Sequence, residues 1–186
     1  MSGIIQVYFS LEIEVIRQYK GKTPQFDDTV FIEDSAQVIG DVIIGSHSSI
    51  WFNTTVRGDV FHIRIGSYTN IQDNSVLHVT NGKYATILED YVTVGHSVTL
   101  HGCHIKSNNL VGIGSIVMDD VMVEENCIIA AGALVSPGTK VPARSLMMGV
   151  PAKRVRDITD EEVARIRQYA MNYFQYKEEY KKQYGR

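Results

Sequence analysis

A period of six constrains this chain more than any other feature. Stepping by six from Ile32 reaches Val38, Ile44, Ile50 and Val56, then, after three extra residues, Ile65, Ile71 and Leu77. Beyond the interruption "HVTNGKYATI" the stepping resumes at Leu88, Val94 and Leu100. One residue is then dropped, and Ile105, Val111, Val117, Val123, Ile129, Val135 and Val141 follow unbroken. Helices repeat their apolar face every 3.6 residues and half-buried strands every two, so neither accounts for six. A parallel β-helix does. Three six-residue rungs make one triangular coil, and one aliphatic side chain per rung points inward, stacking on its equivalent about 4.8 Å away in the next coil. Turn-forming residues recur between the inward positions, as in "VIIGSH", "IGSYTN" and "VGIGSI".

From about residue 158 the pattern changes. In "TDEEVARIRQYAMNYFQYKEEYKKQY", Thr159 and Glu162 have capping-box spacing, and Val163, Ile166, Ala170 and Tyr173 fall on one helical stripe. The expected organisation is an N-terminal extension over 1–18 of undecided role, a β-helix domain over 19–157, and a C-terminal helix over 158–186 packed along it. The 186 residues suit one ordinary domain with a small appendage. A net charge of -3 argues against nucleic acid or an anionic membrane as partner. No apolar run approaches the ~20 residues of a membrane span, and the N-terminus lacks the basic region and cleavage site of a signal peptide. Cys103 and Cys127 are too few for a disulfide framework and read as small buried groups. A soluble, cytoplasmic protein is expected.

Six histidines remain to be placed: His47, His62, His78, His96, His101 and His104. His78 follows inward Leu77 and His101 follows inward Leu100, so both hold the same rung position. The five residues by which their gap exceeds three hexads fit a looped-out "NGKYA". These two imidazoles should therefore stack on adjacent coils, close enough to share a metal ion. His96 comes second after inward Val94 and belongs to another corner; it is poorly placed to meet the pair within one chain and could meet it across an interface between copies packed around a threefold axis. Three neutral imidazoles with an open position make a catalytic zinc site. Arg57 follows inward Val56 and Gln72 follows inward Ile71, so Arg57, Gln72, His78 and His101 are expected in one polar ladder.

The stretches "TTVRGDV", "TNIQDNSVLHV", "VTVGHSVTLHGC", "VGIGSIVMD" and "GVPAKRVR" resemble the gamma-class carbonic anhydrases and their short bacterial relatives over roughly residues 19–182. The resemblance implies a left-handed parallel β-helix and a homotrimer with metal sites at its interfaces. His78 and His101 would come from one subunit and His96 from its neighbour. It further implies an intersubunit pair of Arg57 with Asp73, a Gln72 that hydrogen-bonds metal-bound solvent, and Asn70, Asp59 and Tyr173 around the site. The implied reaction is reversible hydration of CO2 to bicarbonate by a metal-bound hydroxide. Zn2+ is the conservative metal, and three imidazoles also suit Fe2+ or Co2+.

The chain departs from that pattern at the proton exit. Val60 follows "RGD", and "VTNGKYAT" after His78 contains no carboxylate. Asn81 and Lys83 are poor proton acceptors near neutrality; His62 and Glu89 are the substitutes. Modest or buffer-dependent activity is expected. The alternatives are a hexapeptide acyltransferase-like enzyme, a metal-dependent thioesterase, and a non-catalytic binding or assembly subunit.

Overall fold

Strand formation follows from the spacing of the inward side chains, because each rung can satisfy its backbone only by pairing with the rungs of neighbouring coils. A computed structural model describes residues 14–185, and in it the hexads form short parallel strands. Ile32 lies opposite Ile50 and Val38 opposite Val56, three hexads further along the chain in each case. Ile44 lies opposite Ile65, so the extra residues before Ile65 are taken up within the long strand Thr55–Ile65. Leu77 lies opposite Leu100 across the looped-out segment, and Leu88 lies opposite Ile105, one position short of three hexads. Each irregularity in the sequence period thus appears as a change of register between coils.

Three faces result. The first carries Val76–His78, Thr99–His101, Ile116–Val117 and Leu134–Val135; the second carries Thr86–Leu88, His104–Ile105, Met122–Val123 and Lys140–Val141. Both join through Thr55–Ile65 into an 11-stranded sheet. The third face is an 8-stranded sheet that includes Ser49–Ile50, Asn70–Ile71, Thr93–Val94 and Leu110–Val111, and that ends in the antiparallel pair Ser145–Gly149 and Ala152–Asp157. The inward aliphatic positions are buried from Val38 to Val141, and only Ile32, at the edge of the third face, stays partly exposed. At the corner between the third and first faces, Asn74 and Ser97 adopt φ of 59° and 58°. Asn tolerates this conformation because its short polar side chain can bond locally.

The helix Asp160–Tyr184 opens with both bonds of a capping box between Thr159 and Glu162. It lies along the third face with Ile166 and Ala170 buried. Trp51 meets Tyr173 and Tyr180 edge-to-face at centroid distances of 5.4 and 5.2 Å, a favourable aromatic geometry. Lys177 is buried, and its Nζ donates to the Thr29 carbonyl at 2.9 Å. Of the N-terminal extension, Ile16–Arg17 joins the first face as a strand beside Gln37–Ile44; residues 1–13 lie outside the described residues. Among the described residues no helix is long and apolar enough to cross a membrane.

Candidate metal centre

Leu77 and Leu100 are fully buried, so the alternation of a strand turns the residue after each of them outward. His78 lies opposite His101 in register, with His78 Nδ1 and His101 Nε2 3.1 Å apart. The backbone beneath them is pinned by Thr86, whose hydroxyl donates to the His78 carbonyl at 2.5 Å and accepts from the Gly102 N–H at 2.9 Å.

Each ring has a carboxylate at its other nitrogen. His78 Nε2 is 3.0 Å from Asp59 Oδ1, and His101 Nδ1 is 2.8 Å from Asp119 Oδ1. Partial burial opposes ionisation of Asp59, but hydrogen bonds from Arg57 and His78 outweigh it and hold its pKa below the ordinary carboxylate value. At Asp119 burial is likewise outweighed, by bonds from Thr80 and His101. Ionised carboxylates only accept, so the ring nitrogens facing them are the donors of these two bonds. In the tautomers that leave one proton on each ring, the two nitrogens 3.1 Å apart both present lone pairs to the same space. Such an arrangement calls for a shared proton or a cation. Two nitrogens bound to one tetrahedral zinc at about 2.0–2.1 Å lie about 3.3–3.4 Å apart, so the donor set fits a dication.

A second constellation occupies the end of the third face. Asn70 and Gln72 are buried; Asn70 Nδ2 donates to Thr93 Oγ1 at 3.0 Å and Gln72 Nε2 donates to Asn70 Oδ1 at 3.1 Å. His96 Nδ1 is 2.9 Å from Asp73 Oδ2 on the neighbouring coil. Gln72 and Tyr173 line an apolar cavity of about 420 Å3 between this face and the helix. Burial, reinforced by the charge of Asp73, pushes the Tyr173 phenol up to about 12, so it stays a protonated donor at neutral pH. Among the described residues of one chain, no three His, Cys, Asp or Glu side chains gather in a metal-holding group.

The expected four-residue ladder is corrected at Gln72. Arg57, His78 and His101 share the first face, but Ile71 pairs with Ile50 and Val94, which puts Gln72 on the third. Position within a hexad repeats at every rung, whereas a face recurs only at every third rung. Within the chain Arg57 pairs with Asp59 and Asp73 with His96. His62 lies against Phe61 with ring centroids 4.4 Å apart and planes tilted by 50°, and burial, helped by the charge of Arg64, lowers its pKa. Glu89 is engaged by His104 and Ser107 on the second face. Cys103 is buried, which pushes its thiol up to about 12. Asp119, Thr80 and Thr86 escaped the sequence reading. Counting on from Leu100 to its register partner Val117 would have brought the two aspartates of "VMDD" to the coil beside His101.

Residues 102–137 match the family described as bacterial transferase hexapeptide (six repeats). The chain is 47% identical over 157 residues to gamma carbonic anhydrase 2, mitochondrial, of Arabidopsis thaliana, a match that covers 82% of this chain and 56% of that protein. The chain thus spans just over half the length of this plant relative. It is 45% identical to a carbonic anhydrase of Geobacillus kaustophilus, with 90% of this chain and 91% of that one covered. A solved structure of a hexapeptide transferase family protein from Anaplasma phagocytophilum superposes with a TM-score of 0.86 at 44% identity, covering 90% of this chain and 98% of the other.

Proposed function

Because the chain belongs to the gamma carbonic anhydrase family, we propose that it catalyses the reversible hydration of CO2 to bicarbonate at a dication shared between copies. In this reading the active form is a homotrimer. His78 and His101 of one copy and His96 of a neighbour hold the metal, Zn2+ in the first instance and Fe2+ or Co2+ as alternatives. The observation that carries the reading is the His78–His101 pair, whose facing nitrogens are 3.1 Å apart while each outer nitrogen meets a carboxylate. The position of His96 at a different corner, at the end of the third face, supports a site completed across an interface. When bound, the dication lowers the pKa of water toward neutrality and so supplies the nucleophile, a behaviour already established for zinc in carbonic anhydrase.

The chain's own residues bind, orient and shield. Gln72, oriented by Asn70 and lining the apolar cavity, presents its amide to CO2. Tyr173 walls the same cavity as a neutral phenol. Asp59 fixes the ring of His78 and is itself held by Arg57. Arg57 also faces Asp73 of the adjacent copy in the assembled trimer. Release of the product proton falls to buffer, because the turn from Thr80 to Tyr84 that follows His78 offers no carboxylate. Stopped-flow CO2 hydration on protein loaded with Zn2+, and anaerobically with Fe2+, tests this. A metal-dependent rate that rises with buffer concentration is expected; no rate above background with either metal bound would sink the CO2 assignment.

A further inference from the structure

Asp119 has no role in the reading above beyond its contact with His101, yet three features of the chain converge on its carboxylate. Its Oδ1 receives the His101 ring at 2.8 Å and the Thr80 hydroxyl at 2.7 Å. Thr80 opens the turn after His78, closed by the Thr80–Tyr84 bridge, and so reaches Asp119 from the other side. Gly102, directly after His101, has φ +58° and no Cβ; a Cβ there would collide with Asp119 Oδ1 and with Tyr84 Cβ. The backbone next to the imidazole is therefore shaped to admit this carboxylate.

We propose that Asp119, held by Thr80 and admitted by Gly102, is a positioning residue that fixes the ring and tautomer of His101 and thereby sets the affinity of the site for its dication. With Nδ1 donating to Asp119, the lone pair of His101 sits on Nε2, the nitrogen turned toward His78. Without the acceptor the ring can rotate, or carry its proton on Nε2, and either state removes a ligand. Hydrogen bonding to an anion also makes the imidazole a stronger base and a better donor to a metal. The turn after His78 enters through Thr80, which orients Asp119 and never touches the metal. This inference rests on His101 being a metal ligand.

The test is the affinity of the full chain for Zn2+, measured by competition with a chromophoric chelator, together with the visible spectrum of the Co2+-loaded protein. D119A should bind about 10- to 100-fold more weakly than wild type and show an altered Co2+ spectrum. D119N keeps an acceptor oxygen without the charge and should fall between the two. T80V should lose less than D119A, and little further in the D119A background. Thermal melting of the metal-free forms separates a role in stability from a role in positioning. If D119A melts low, D119N carries the decision. Affinity within twofold of wild type in a folded D119A or D119N, with an unchanged Co2+ spectrum, overturns the proposal. Failure of the wild type to bind either ion sinks the metal reading along with it.

Discussion

Replacing Leu100 by Ala tests whether the solenoid core holds the site. Leu100 is fully buried and lies between Leu77 and Val117 in register. Removing three carbons forfeits about 0.8 kcal/mol each, or about 2.4 kcal/mol of transfer free energy. A cavity term of about 24 cal/mol per Å3 adds to this wherever the surroundings fail to collapse. Collapse is hindered here, because the hydrogen-bonded coils on either side hold Leu77 and Val117 at the spacing of the ladder. The cost should reach about 4 kcal/mol, in the upper part of the Leu→Ala range. Ile32→Ala is the internal control: its partly exposed site at the sheet edge can relax, so about half that cost is expected. Urea unfolding followed by far-UV circular dichroism, at one fixed protein concentration because assembly raises apparent stability, measures both. A cost for L100A below about 1 kcal/mol, or no larger than that of I32A, would refute the packing account.

Two further predictions follow from local features. Glu162 has its pKa lowered from 4.5 to about 2, first by the hydrogen bonds from Arg156 and then by the Thr159 N–H. A depressed carboxylate contributes stability above its unfolded pKa and loses it as pH falls through the folded value. The melting temperature of wild type should therefore exceed that of E162Q above pH 4.5, and the two curves should converge toward pH 2; parallel curves would exclude the linkage. G102A should lower the melting temperature more than G114A. Both glycines have positive φ, but a Cβ at Gly114 meets nothing within 4 Å, whereas at Gly102 it strikes Asp119 and Tyr84. Equal losses would mean that backbone strain alone is at work.

The β-helix was legible in the sequence because its constraint is one-dimensional: each inward side chain must meet its equivalent one coil away, so the period and its breaks map directly onto register. The stacking of His78 on His101 followed from the same counting. Gln72 was misplaced because its place within the hexad was counted without the threefold repeat of the faces. Asp119 escaped because the count was not carried one coil past Leu100 to Val117, and Thr80 because it lies in the looped-out turn, where no sequence period operates. Thr86 holds the His78 carbonyl through a buried hydroxyl, and a Thr on a strand looks like any β-former. Residue type alone does not separate that latch from ordinary strand propensity.

A metal site completed between copies should be restored by mixing two variants that each lack one of its ligands. H96A retains His78 and His101, and H101A retains His96. Neither alone should bind Zn2+ tightly or hydrate CO2. After the two are dissociated, mixed in equal amounts and reassembled, sites with His78 and His101 from an H96A subunit and His96 from an H101A subunit should return. Random assembly around a closed ring restores about a quarter of the interfaces, and bound Zn2+ per chain should recover to match. No recovery of Zn2+ binding in the reassembled mixture would contradict a site shared between subunits.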